Sequence, residues 1–172
     1  SIAEVDAEHG KSLSINTMSG APIIHFYGED VKENPLMEVV SFEIYCNEAN
    51  LRGFSEFIAS KDSTKEYYER FKRLFFLIET GQTTYFQDYK SSGYIVKWER
   101  KAQQWYKLDV CADYINREMI FYMDNEQLGK IPLEEGMNGF KGFRYVFEHK
   151  NIGTKYFDNI KYVQILKRGE KL

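Results

Sequence analysis

Between Val39 and Asn47 the apolar residues Phe42, Ile44 and Cys46 alternate with Glu43, Tyr45 and Asn47. Successive side chains of an extended strand point to opposite faces, so this period of two marks a strand with one dry and one wet face. A helix would instead place its apolar residues three and four apart. Similar short runs recur along the chain. Lys11 to Asn16, Ile23 to Tyr27, Phe54 to Ser60, Tyr94 to Glu99, Tyr106 to Tyr114, Met119 to Met123, Gln127 to Ile131, Phe143 to Glu148 and Phe157 to Leu166 all read as strands. Many short strands separated by turn signals predict an all-β fold, a two-sheet antiparallel β-sandwich.

The turns supply the connections. Ser19-Gly20-Ala21-Pro22 separates the first two strands at a spacing that predicts a hairpin, and Asp124-Asn125-Glu126 closes another with its tip in solvent. Residues 63–80 are ambiguous. Tyr67, Phe71, Leu74, Phe75 and Ile78 lie on one helical face, and Ser63 with Glu66 resembles a capping box. Yet Leu74, Phe76 and Ile78 alternate with Phe75 and Leu77, and Gly81 then leads into the alternation from Thr83 to Tyr89. A strand from about Arg73, in a hairpin, is the expectation, with a short helix before it left open.

At 172 residues the chain suits one domain, 1–172, with no repeat or Pro-rich linker to divide it. Aromatic residues make up 16% of it, which favours half-buried pleated surfaces. The net charge of −3 is spread out, with no basic stripe for neutralising phosphates, so nucleic acid is not an expected partner. No run approaches the ~20 apolar residues of a membrane helix, and membrane insertion is not expected. Ser1 to Gly10 lacks the basic end and apolar centre of a signal peptide, and it lacks an initiator Met, which suggests a mature form or an excised domain. Cys46 and Cys111 could pair only if the fold brings them together; two free buried thiols are the favoured alternative. Without nearby His pairs they do not suggest a zinc site.

From Gln104 to Ile165 the chain resembles the second half of domains in the concanavalin A-like lectin and glucanase superfamily, which includes laminin-G-like modules. Trp105-Tyr106-Lys107-Leu108-Asp109-Val110 is similar to a Trp-led strand of that family. Ile120 to Gly129, with Asp124-Asn125-Glu126 at its tip, resembles its acidic-tipped hairpin, and Tyr156-Phe157-Asp158-Asn159-Ile160-Lys161-Tyr162 resembles its closing strand. His9-Gly10-Lys11-Ser12-Leu13 agrees more loosely. The resemblance implies a jelly roll with a convex and a concave sheet, and carbohydrate as the commonest ligand class. It implies no particular reaction. It also implies Ca²⁺ between the N-terminal segment and the closing strand, at Asp158, with Glu8 or Asp6 as a second carboxylate.

For non-covalent sugar binding, ring faces and planar polar groups are needed along a shallow groove. Tyr45, Tyr85, Gln87 and Tyr89 alternate out of the dry faces, beside Lys97 and Arg144, and form one expected ligand-binding set. Exposed tyrosines also simply stabilise cross-strand pairs. Trp98 shares a face with Tyr94 and Val96 and reads as core, and Trp105 as a strand-start anchor. Glycosidases need two facing carboxylates. Glu43 and Glu99 are the candidates if their strands are neighbours, although no Glu-x-Asp-x-x-Glu motif is present, and the Gln-x-His element of related lyases is absent. His9, His25 and His149 are scattered and read as ordinary residues. The expectation is a non-catalytic carbohydrate-binding or adhesion module of a larger extracellular protein. A glycoside hydrolase or polysaccharide lyase on the same scaffold is one alternative, and a structural protein-interaction module another.

Overall fold

The computed structural model describes residues 2–4, 11–16, 23–27, 35–47, 53–61, 71–80, 83–87, 94–99, 101–133, 142–147 and 154–167, with side chains over 11–14, 35–47, 101–133 and 154–167. Among them all regular structure is strand. Numbering the strands along the chain, a seven-stranded antiparallel sheet runs β1 (Ile2–Glu4), β2 (Lys11–Asn16), β13 (Thr154–Ile165), β4 (Met37–Cys46), β9 (Trp105–Asp113), β10 (Glu118–Met123) and β11 (Glu126–Pro132). A six-stranded sheet runs β3 (Ile23–Tyr27), β12 (Gly142–Phe147), β5 (Gly53–Lys61), β6 (Phe71–Thr80), β7 (Thr83–Gln87) and β8 (Tyr94–Glu99). The fold is the expected all-β sandwich of two antiparallel sheets.

The wet and dry faces of β4 are as its alternation predicts. Glu38, Val40, Phe42, Ile44 and Cys46 are buried, and the residues between them are half-buried. Cross-strand neighbours extend the dry face through Tyr106, Leu108, Val110 and Ala112 of β9, Met119, Phe121 and Met123 of β10, and Phe157 of β13. Phe42 and Phe157 lie 6.2 Å apart, ring centre to ring centre. Burying each large side chain contributes about 1.5–3 kcal/mol, which is what holds this sheet to its partner layer.

Where two residues form a turn, the local reading holds. Asp124 and Asn125 have φ of 50° and 67°, the left-handed pair of a type I′ hairpin, and link Met123 to its partner Glu126. Thr80 likewise pairs with Thr83, so β6 and β7 form the expected hairpin, and β6 starts at Phe71, close to the predicted Arg73. The first hairpin is a correction. Strands β2 and β3 have the predicted bounds, but β2 pairs with β1 and β13 while β3 pairs with β12. A turn signal says that the chain reverses; which edge each strand then joins is decided by partners far along the chain.

The two cysteines are free. Cys46 sits on the dry face of its sheet, and Cys111 is the register partner of Val39 on the other face, so the sheet itself separates them. Burial, and secondarily the charge of Asp113, push the Cys111 thiol up from its ordinary value.

Candidate functional site

Register places most of the expected ligand-binding residues on one side of the six-stranded sheet. Tyr85 pairs with Lys97, and Gln87, two residues on and therefore on the same side, pairs with Tyr94 and Phe76. Phe76 pairs with Glu56, Glu56 with Arg144, and Arg144 with His25. One cross-strand row thus runs His25, Arg144, Glu56, Phe76, Gln87, Tyr94 across all six strands, a span of roughly 24 Å at about 4.8 Å per strand. Ile23, Val146, Phe54, Ile78, Tyr85 and Lys97 form the next row on that side. The alternate rows belong to the other side. The nearest is Ile24, Tyr145, Ser55, Leu77, Phe86 and Val96, so both sides carry apolar residues and the mixed row is set apart by its charged and amide groups.

Trp98 pairs with Thr84 and keeps the alternation of Val96. A register shift at Phe86/Gln87 breaks the alternation before it, so Tyr94 falls opposite Gln87 instead of sharing the row pattern of Val96 and Trp98. Phe76 and Tyr94 of the mixed row were not among the expected ligand-binding set, and neither were two of its polar residues, His25 and Glu56. The available signal was parity, since both lie two positions from apolar residues that share their side, but parity becomes useful only once the strand order is known.

Tyr45 is not part of this surface. It belongs to β4 in the seven-stranded sheet, and its ring packs against Trp105 at 5.4 Å and edge-on against Tyr156 at 5.7 Å. Trp105 is the first residue of β9, as its reading as a strand-start anchor predicts, half-buried on the outer face. The carboxylate pair also fails on topology. Glu43 lies on β4 and Glu99 on β8, strands of different sheets, so the strand adjacency that this reading required is absent. Tyr89 lies outside the described residues.

Beside the aromatic row, Glu43 is flanked in register by Lys107 and Asp158. The Asn159 amide donates to Glu43 Oε2 at 2.7 Å, while Asp158 Oδ1 accepts from the Asn159 backbone N–H at 2.7 Å and Oδ2 from the Ser12 hydroxyl at 3.5 Å. Asn159 has a φ of 49° within a β-bulge, so this Asp-Asn pair does shape a bend. Asp158 therefore stands next to the N-terminal strand β2, with hard oxygen donors around it. Among the described residues, however, no three His, Cys, Asp or Glu side chains converge as a metal cage would require. Glu8 and Asp6 lie outside the described residues.

A second polar cluster was not anticipated at all. Glu38 is fully buried and accepts from the hydroxyls of Tyr114 and Tyr162 and from the Gln164 amide at 2.9 Å. Burial first, then the bond to Glu38 and its charge, push both phenols above the ordinary tyrosine value. Nearby, Asp113 Oδ1 accepts from the N–H groups of Asn116 and Ile115 at 2.9 and 3.0 Å. Those bonds, that of Asn116 foremost, hold its carboxyl below the usual range.

No protein-family model and no curated protein sequence matches the chain. Solved structures do. An endo-β-1,4-glucuronan lyase from the fungus Trichoderma reesei is similar over 94% of this chain and 86% of its own, with a TM-score of 0.62 at 9% identity. The carbohydrate-binding module CBM66 from Bacillus subtilis is similar over 94% of this chain and 90% of its own, with a TM-score of 0.52 at 13% identity. The chain has the concanavalin A-like jelly-roll fold. A sialidase is also similar, with a TM-score of 0.64 at 11% identity, over 89% of this jelly roll but only 15% of the sialidase's own length. At such identities the likeness is one of fold, and the proteins that share it include both a carbohydrate-binding module and polysaccharide lyases. Among the described residues no helix is long and apolar enough to cross a membrane.

Proposed function

We propose that this jelly-roll domain binds a polysaccharide across the six-stranded sheet without cleaving it. The observation that carries the reading is the mixed row His25–Arg144–Glu56–Phe76–Gln87–Tyr94, with Tyr85 and Lys97 in the next row on the same side of the sheet. Such a row supplies what a carbohydrate surface requires: rings for the C–H faces of the sugar and planar or charged groups for its polar substituents. Two cations, Arg144 and Lys97, favour a chain bearing carboxylates, and a glucuronan lyase and alginate lyases share the fold. An extracellular setting within a larger protein belongs to the same reading, as does Ca²⁺ at Asp158. A glycan array containing neutral and uronate polysaccharides tests it. Binding to a uronate chain is expected, weakened at least about tenfold, or 1.4 kcal/mol, by Tyr85→Ala and by Arg144→Ala. Absence of binding, or equal binding by both variants, leaves the structural protein-interaction alternative.

One observation favours catalysis as a second reading. Arg144 and His25 are register partners, which sets a cationic residue beside an imidazole, the side chain most often used as a general base, a pairing suited to proton abstraction from a carboxylated sugar. Incubation with uronate polysaccharides and detection of unsaturated ends decides between the readings, and lack of product rules lyase activity out. Hydrolysis by paired carboxylates is disfavoured on this face, because Glu56 and Glu99 lie three strands apart, at least about 14 Å. That exceeds the separation either glycosidase geometry uses.

A further inference from the structure

We infer that the end of β13 beyond its pairing with β2 is a self-association edge, where a second copy of this chain adds antiparallel and joins two seven-stranded sheets into one. The strand is twelve residues long, but β2 pairs only with its first part, Thr154 to Phe157. From there to Ile165 it pairs with β4 on one side, and among the described residues no strand lies on the other. Exposed large apolar side chains concentrate at this place. Of the five among the described residues, Ile160, Tyr162, Val163 and Ile165 are on this strand end, and Ile115 is in the neighbouring β9–β10 turn. Val163 is 52% and Ile165 48% exposed. A long apolar edge of this kind is a template for pairing with another strand.

The outer face of the sheet indicates which strand fits. Ile120, Cys111, Val39 and Val163 are successive register partners, so an apolar row crosses β10, β9, β4 and β13 and stops, without a polar end, at the exposed Val163. A second copy continues that row with its own Val163 and Val39. Symmetry then limits the register. Two antiparallel strands related by a two-fold axis perpendicular to their sheet keep the same face outward, so only residues of equal parity can be opposite one another, and one residue lies on the axis.

Charge selects between the two central choices. With Tyr162 on the axis, the two Lys161 side chains would be two residues apart along the strand, roughly 7 Å, inside the ~10 Å screening length of 0.1 M salt. Placing Val163 on the axis pairs Lys161 with Ile165 and separates the two lysines by roughly 14 Å, beyond that length. It also leaves Tyr162 on its inward bond to Glu38. Val163 is therefore the axial residue.

Sedimentation equilibrium on the whole chain over a concentration series, with Val163→Lys alongside, tests the edge. A reversible dimer is expected, with a dissociation constant raised at least about tenfold, or 1.4 kcal/mol, by the two facing charges. Val163→Cys should form a disulfide-linked dimer on mild oxidation, because opposite antiparallel residues have Cα atoms about 4.5–5.5 Å apart, within disulfide reach. Lys161→Cys should not. This pair of cysteine variants still decides the matter if Val163→Lys fails to fold, as judged by its melting curve. A monomer at every concentration, a dimer indifferent to Val163→Lys, or cross-linking by Lys161→Cys as readily as by Val163→Cys overturns the inference.

Discussion

Two carboxylates on one strand, Glu38 and Glu43, show how much a single step of alternation decides. Both belong to β4, five residues apart, and therefore face opposite sides of the sheet. Glu38 is fully buried, accepting from two tyrosine hydroxyls and an amide. Glu43 is half-buried in an outer row, accepting from Asn159 with Lys107 and Asp158 on either side. A carboxylate removed from water must be met by donors aimed at it, whereas one at the surface can exchange partners with water. Glu38 thus ties together β4, β13 and the start of the β9–β10 turn, whereas Glu43 engages Asn159 on the outer face.

The largest effect should come from Glu38→Ala. It removes the acceptor of three donors in a buried setting, and a loss of about 3–5 kcal/mol in urea unfolding is expected. Retention of wild-type stability would break the distinction between the two acids.

Next in size is an alkaline effect. The phenols of Tyr114 and Tyr162 are raised in the folded state, so the folded chain keeps these protons after the unfolded chain has lost them. Their contribution is complete below the unfolded tyrosine value of about 10 and falls as pH rises from there. Stability should accordingly decline above about pH 10, less steeply in Tyr162→Phe, and an identical slope in that variant would show that the phenol is not coupled to folding. At neutral pH Tyr162→Phe should lose about 1 kcal/mol.

Much of the scaffold was legible because its cause is local. The β4 alternation, the Asp124-Asn125 turn and the strand from Phe71 follow from residues that touch within a few positions of one another. The β2–β3 pairing did not follow, because strand order depends on β12 and β13, more than a hundred residues away. The site shows the same division. That Tyr85, Gln87, Lys97 and Arg144 are polar or ring-bearing residues within strands was readable, but not that Tyr45 would fall in the other sheet, nor that His25 would come opposite Arg144. Glu38 was hidden for a different reason. Its partners are Tyr114, Tyr162 and Gln164, and a glutamate at the head of a strand looks like solvated surface until those three are placed around it.

The outer row holds one effect comparable to that of the phenols and the smallest of all, and the two sharpen the comparison most. Asn159→Val forces a β-branched residue to a φ of 49°, which should cost about 1–3 kcal/mol. Glu43→Gln keeps an oxygen to accept from the Asn159 amide, and a loss of no more than about 0.5 kcal/mol is expected by thermal or urea unfolding. The same experiment bears on calcium. If Asp158 and Glu43 hold an ion, Glu43→Gln should be far costlier in Ca²⁺ than in chelator, and the wild-type melting point should fall when the chelator is added. If the variant costs the same in both, and the wild type melts alike in both, the two acids are no more than partners in the Asn159 bulge.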